Sequence, residues 1–240
     1  MPYHDQRVLD VACKFLASCD PTDHIIQIGD LLDAPEPSRW NKGAAGEYAD
    51  TLQDSINTCR KVLAQISEAF PGTSKLIKMG NHDERVETYV RRYAPALSSL
   101  DALRFESLLG LEAAGWTLAR RPVTIAPGWM AAHGHESSMS RYAGGTAIGL
   151  ARRFGASVVC GHTHSAGLIA HSAGVNGKVR TVYGLEVGNM MRMDQAQYLK
   201  YGGADWQQAF GILHQDGQTV IPELVHVKGG RFYAEGRWWK

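Results

Sequence analysis

Four short apolar runs, each finishing in glycine with an Asp, Asn or His, set the rhythm of the first two thirds of the chain. The first, Asp23 to Asp30 (DHIIQIGD), reads as a buried strand ending in Gly29-Asp30. The second, Lys75 to Met79, leads into Gly80-Asn81-His82, and the third, Trp129 to Ala132, into His133-Gly134-His135. The fourth, Ser157 to Cys160, leads into Gly161-His162-Thr163-His164. Helical patterns lie between them. From Asp5 to Ser18, residues Val8, Leu9, Ala12, Phe15 and Leu16 share one helical face. A long amphipathic helix is expected from Glu47 to Phe70, stopped by Pro71-Gly72, with further helix from Glu84 to Leu109 and from Gly145 to Phe154. The stretch Asp33 to Gly46, rich in proline and small residues, is a loop. Short strands are expected at Trp116 to Ala119 and Val123 to Ile125, and beyond His164 the chain is strand-rich, with Asp216-Gly217 as a hairpin turn.

Strands alternating with helices predict a layered α/β fold, and the late strands a mixed sheet or sandwich. Ligands in such folds gather at the carboxyl ends of strands. One polar strand ending is an ordinary turn or helix cap; four in succession predict a site.

Composition narrows the class. The 240 residues fit one domain spanning 1–240, and 44% hydrophobic residues supply a core without disulfides or a structural metal. A net charge of +1 gives no sign of the broad electrostatic footprint of a protein that coats DNA or a membrane, and leaves a local basic groove open, because totals hide patches. Cys13, Cys19, Cys59 and Cys160 form no CxxC pair and read as reduced thiols. No basic stretch followed by an apolar one opens the chain, and no apolar run reaches the roughly 20 residues that span a bilayer. The expectation is a soluble, cytoplasmic protein with no membrane partner and an oligomeric state the sequence leaves open.

The polar residues at the strand ends are of one chemical kind. Imidazole nitrogens with carboxylate and amide oxygens suit divalent Mn, Fe, Zn, Ni or Co. Thiolates are missing from the set, which argues against a closed structural zinc site. A shared carboxylate can bridge two ions roughly 3.5–4 Å apart, and such a pair lowers the pKa of bound water from about 15.7 towards 7. Phosphoryl chemistry then needs positioning, charge neutralisation and a proton for the leaving oxygen.

The series GD-xx-D (Gly29 to Asp33), GNHD (Gly80 to Asp83), HGH (His133 to His135) and GHTH (Gly161 to His164) resembles the calcineurin-like metallophosphoesterases in order and spacing, over Ile25 to His164. The resemblance implies a β-sandwich of mixed sheets flanked by helices, four layers α/β/β/α, with two metal ions at one edge. It implies that Asp30 is the bridging carboxylate, that Asn81, His133 and His162 complete one ion's shell, and that His164 binds the other. His82 would give the leaving group its proton, and Asp33 would orient His82. The expected substrate is a phosphoester, a diester rather than a monoester, borne by a nucleotide, nucleic acid or small phosphorylated metabolite. Arg85 and Arg141, with Arg39, are candidates to meet its phosphate.

Two departures qualify the match. The family's first motif, Asp-x-His on strand one, has no counterpart, and Met1 to Asp5 resembles the loop just after it, as though strand one were cut away. The second ion would then keep only Asp30 and His164, with His4 or Asp5 as substitutes. Ala34 also stands where some phosphatases of the family carry a phosphate-holding arginine. Two other readings follow: a phosphoesterase-fold binding protein without its first metal site, or a nuclease like the family's DNA-repair members, hinted at by Arg39, Trp40 and Lys42. Asp83 and His135 adjoin the site in sequence, each as second-layer or structural residues. His171, His214 and His226 are surface or core residues, and Trp238-Trp239 packs on the body or at a subunit contact.

Overall fold

The computed structural model describes residues 3–19, 22–38, 41–49, 51–195 and 205–240. Its contacts divide the chain into two compact units, one over Leu16–Arg120 and the other over Tyr3–Phe15 with Arg121–Lys240. Among the described residues the fold is mixed α/β, with five α-helices and twelve strands in three sheets. No helix there is long and apolar enough to cross a membrane, and all four cysteines are free thiols.

The first unit is a three-stranded parallel sheet of β1 (His24–Gln27), β2 (Ser74–Lys78) and β3 (Thr117–Ala119), in that order. Helices α2 (Leu52–Ala69), α3 (Arg85–Tyr93) and α4 (Phe105–Leu109) belong to it. Ile56, Cys59 and Leu63 of α2 meet Ile77 and Met79 from the β2 end, with Leu31, Leu32, Phe105, Leu109 and Trp116 around them. Lys75 is buried and caps the end of α2, its ammonium donating to the carbonyls of Phe70 and Thr73.

Two helix boundaries differ from expectation for identifiable reasons. The helix expected from Glu47 begins at Leu52, after a separate 3₁₀ turn over Ala45–Tyr48. Thr51 gives both its N–H and its hydroxyl to Glu36, and Glu47 turns back to the Gly43 N–H, so neither continues a helix. Helix from Glu84 to Leu109 is likewise broken. Pro95 lacks the N–H a helix needs and holds Ala94 at φ −140°, ψ 56°, so α3 stops and 3₁₀ turns bridge to α4.

The second unit holds a five-stranded sheet in the order β4-β5-β6-β8-β7. Its strands are β4 (Val123–Ala126), β5 (Trp129–Ala131), β6 (Ser157–Cys160), β7 (Ala166–Val175) and β8 (Lys178–Val187). β5, β6 and β8 are parallel, and the two edge strands run against them. Helix α5 (Gly145–Phe154) crosses over between β5 and β6, as its apolar spacing predicts. A four-stranded antiparallel sheet follows, from β9 (Ala209–Asp216), β10 (Thr219–Lys228), β11 (Arg231–Ala234) and β12 (Arg237–Trp239), with the expected turn after Asp216. Helix α1 (Gln6–Leu16) puts Phe15 edge-on against Phe232 and Trp239, at 5.4 and 5.1 Å between ring centroids. Trp239 thus packs on the body, while Trp238 stays exposed beside Tyr233.

Glycine lets α5 lie directly on β8, and the residues just before the helix lie directly on β7. A Cβ at Gly184 would come within 2.1 Å of the Ile148 backbone nitrogen, and one at Gly167 within 2.5 Å of the Ala143 carbonyl carbon. Gly184→Ala must therefore lift the helix, an overpacking expected to cost about 1–3 kcal/mol. The midpoint of urea unfolding followed by circular dichroism measures it, and an unchanged midpoint would show that the close approach is not needed.

Candidate functional site

The strand-end residues of the first unit converge on Asp30. It follows β1 at φ +54°, a left-handed conformation that a side chain with a Cβ adopts only when its surroundings enforce it. The enforcing group is Asp83, whose side chain is buried. Its Oδ2 accepts the N–H groups of Asp30 and Gly80, and its Oδ1 that of Leu32, each at 2.8 Å. Gly80 is required at this contact, because a Cβ there would lie 2.3 Å from Asp30 Oδ1. Gln27 braces the loop from the strand side, its amide bonding both the N–H and the carbonyl of Gly29.

His82 sits beside this carboxylate and is held at two points. Its backbone N–H donates to Asp30 Oδ1 at 2.9 Å, and its ring Nδ1 lies 2.6 Å from Asp33 Oδ1. The other ring nitrogen, Nε2, is 3.9 Å from Asp30 Oδ2. Asp33 Oδ1 also accepts from Arg85 Nη1 at 3.0 Å, so one nitrogen of the guanidinium expected to meet a substrate phosphate lies on the carboxylate that holds His82. Asn81 is half-buried between the two motif residues that flank it.

The second unit gathers imidazoles. His133 at the end of β5 is almost fully buried, and its Nε2 lies 3.1 Å from His162 Nδ1. The His135 ring centroid is 5.3 Å from that of His133 and 6.1 Å from that of His162. Two imidazole nitrogens that each lie 2.0–2.1 Å from one ion, at angles between octahedral and tetrahedral, are about 2.9–3.4 Å apart. The His133–His162 spacing fits that arrangement. Gly134, at φ +123°, is needed here too, since a Cβ would meet His162 Cβ at 2.8 Å. The His133 carbonyl accepts the N–H groups of Gly161 and His162 and stitches the two loops together.

His164 lies at φ +60° with its ring 4.4 Å from that of Trp206, and its carbonyl accepts from the Gln207 N–H. Arg141 is exposed in the loop before α5. His214 is exposed and pairs with Glu223 at 2.7 Å, His171 is half-buried and His226 exposed. In the first unit Lys42 is engaged over the Tyr93 ring at 4.0 Å, while Arg39 and Trp40 lie outside the described residues.

Two carboxylates went unread in the sequence. Glu136 accepts the N–H groups of His133 and Gly134 at 3.2 and 2.7 Å. Glu186, fully buried in β8, accepts from the Thr146 and Ala147 N–H groups at the start of α5 and from the Thr163 hydroxyl at 2.7 Å. It thereby fixes the residue between His162 and His164. One signal was available for Glu186: an acid inside the apolar run Thr181 to Val187 must find donors to be buried.

Asp83 and Glu186 differ in a way that unfolding measurements can read. Both Asp83 oxygens face N–H donors, so an amide in its place sets one donor against another, and an unsatisfied buried donor costs about 1–3 kcal/mol. The Thr163 hydroxyl can reverse and accept from a Gln at 186. Asp83→Asn is therefore expected to lose about 1–2 kcal/mol more stability than Glu186→Gln, and equal losses would contradict this account.

No family model matches the chain. The Gene 54 protein of Mycobacterium phage D29 is 38% identical over 244 residues, covering 100% of this chain and 95% of that protein. The Gene 54 protein of Mycobacterium phage L5 is 37% identical over 244 residues, with the same coverage of both chains. Identity at this level, sustained from end to end, means that the chain belongs to the family of these mycobacteriophage Gene 54 proteins.

Proposed function

We propose that the chain is a metal-dependent phosphoesterase, acting on phosphodiesters in preference to monoesters, with the four-layer α/β/β/α arrangement of the calcineurin-like enzymes. The observation that carries the reading is the His82–Asp33 pair beside Asp30. A protein that only grips phosphate needs no imidazole held at both its backbone and its ring. A proton donor does.

In this reading Asp30, Asn81, His133 and His162 hold one divalent ion, and Asp30 with His164 a second. The donor set is all nitrogen and oxygen, and the 3.1 Å His133–His162 spacing fits ligation of a shared ion. The ions supply an activated water and a polarised phosphoryl oxygen. The chain's own residues do the rest. Asp33 accepts the Nδ1 proton of His82, which fixes the ring and points Nε2 towards the leaving oxygen, where it gives up its proton. Arg85 shares Asp33 with His82 and restrains the carboxylate from the far side. Within the first unit Gly80 lets its loop approach Asp30, and within the second Gly134 lets its loop approach His162.

A second reading, a binding protein with one ion, draws support from the N-terminal residues. Asp5 is engaged at the start of α1, accepting the Val8 N–H and the Gln208 amide, and His4 Nε2 lies 2.9 Å from the Gln6 side chain. Both oxygens of Asp5 are thereby committed to the chain rather than free to hold a second ion.

Metal analysis and hydrolysis separate the two. Two ions per chain with turnover of bis-p-nitrophenyl phosphate are expected, whereas one ion without turnover favours the binding protein, and no ion removes both readings. Asp30→Ala should lose metal. His82→Ala should keep it and lose about 10²–10⁴-fold in kcat on an ester with a poor leaving group. The loss should be far smaller on the p-nitrophenyl ester, whose leaving oxygen needs no proton. An equal loss on both would overturn the role of His82.

A further inference from the structure

The chain's acids are unevenly distributed. Between Ser137 and Leu185 there is not one Asp or Glu, although the whole chain has 24; the same stretch carries Arg141, Arg152, Arg153, Lys178 and Arg180. This stretch builds α5, β6, β7 and most of β8. A net charge of +1 conceals a strongly cationic segment.

The fold concentrates part of that charge on a projecting ribbon. β7 is an edge strand and pairs along its whole length with β8, while β6 covers β8 only at Gly184 to Glu186. Every residue from Ser172 to Thr181 is exposed, so the distal half of this hairpin stands clear of the sheet as two strands alone. Directly opposed residues share a face, and the pairs His171–Val182, Ala173–Arg180 and Val175–Lys178 therefore put His171, Lys178 and Arg180 on one side. Val182 packs with Leu150 and Ala151 of α5, which makes it the side α5 lies on. Running against β6 and β8, the helix points its last turn, with Arg152 and Arg153, towards the same end of the sheet. Arg153 is engaged on the Glu136 carbonyl. Among the described residues no carboxylate is within ion-pair reach of Arg152, Lys178 or Arg180.

We propose that this ribbon, with Arg152 beside it, is a docking surface for the backbone of duplex DNA. The charge complements phosphate, and Lys178 and Arg180, two residues apart on one strand, are spaced about 6.8 Å. A two-stranded β-ribbon is one of the two elements that the major groove admits. The ribbon begins at the amino end of β8, at the other end of that strand from Glu186 and the Thr163 loop, so it is a surface separate from the strand-end residues. The proposal does not rest on the phosphoesterase reading.

Fluorescence anisotropy of the full chain on a labelled 30-base-pair duplex tests it, with EDTA present so that no metal-held phosphate contributes. Binding should weaken with salt, log K falling against log[salt] with a slope of about −3 for three neutralised phosphates. Lys178→Ala/Arg180→Ala, in exposed positions, should unfold at the wild-type temperature, bind about tenfold or more weakly and lose about two units of that slope. Lys178→Arg/Arg180→Lys should bind as the wild type does, which keeps the test valid should the alanine pair disturb the hairpin. No binding at 50 mM salt, or alanine-variant binding with unchanged affinity and slope, would overturn the proposal. So would loss of binding to anionic phosphatidylserine vesicles in the alanine variant with DNA binding intact, which would make the ribbon a membrane contact.

Discussion

A carboxylate buried beneath a strand-end loop, taking up backbone N–H groups that have left the sheet, is the interaction on which the rest depends. A loop that turns sharply after a strand strips several N–H groups of their ladder partners, and a buried donor must be satisfied. Asp83 does this for Asp30, Leu32 and Gly80; the half-buried Glu136 serves His133 and Gly134 in the same way, and the buried Glu186 takes the first N–H groups of α5 together with the Thr163 hydroxyl. Hydrogen bonds to an ionised acceptor in a low-dielectric interior are among the strongest a protein makes. They are strong enough to hold Asp30 in a left-handed conformation that costs roughly 1 kcal/mol or more. The strain then sits in the residue whose carboxylate must point in one direction.

The sequence revealed the strand-end residues and concealed what holds them. Four apolar runs ending in glycine located the loops, and the helix over Gly145–Phe154 and the strand over Ser157–Cys160 appear with the expected bounds, because each is a local pattern of period 3.6 or 2. What local pattern cannot contain is a partner far along the chain. Thr51 leaves its helix for Glu36, and Glu186 reaches Thr146 and Thr163 from another strand. Asp83 lay inside a motif and still read equally as structural, since nothing in GNHD says that its acid faces the backbone after β1. The helix break at Pro95 is legible in the sequence, because a proline ends a helix whatever the apolar spacing beyond it.

Family membership and chemistry stand on different footings. Identity of 37–38% along the whole chain fixes the kinship with the Gene 54 proteins, and the names of those proteins specify no reaction. Only the side chains of the strand-end loops speak to chemistry. The orientation of His82 supports the proposed chemistry most directly, because positioning a proton donor is what a protein would contribute to phosphoryl transfer once charge is neutralised. Arg85 shows how context adds to a residue type. Besides its candidacy to meet a phosphate, it donates from Nη1 to Asp33, the carboxylate that holds the imidazole.

The electrostatics of α5 and β8 connect the two surfaces of the second unit. Glu186 lies against the first N–H groups of α5, where the helix dipole favours an anion, and Arg152 and Arg153 lie in its last turn, where it favours cations. Helix stability therefore explains part of the charge separation, and would explain all of it if the cations stopped there. They do not. Lys178 and Arg180 project from the exposed part of the β7–β8 pair, beyond Val182 and the other strand residues that meet α5, and exposed valines at 175 and 179 flank them. An isolated two-stranded ribbon is marginal in water on its own account. A ribbon extended ten exposed residues beyond its support, and kept free of acids, is better understood by what it meets than by what it stabilises.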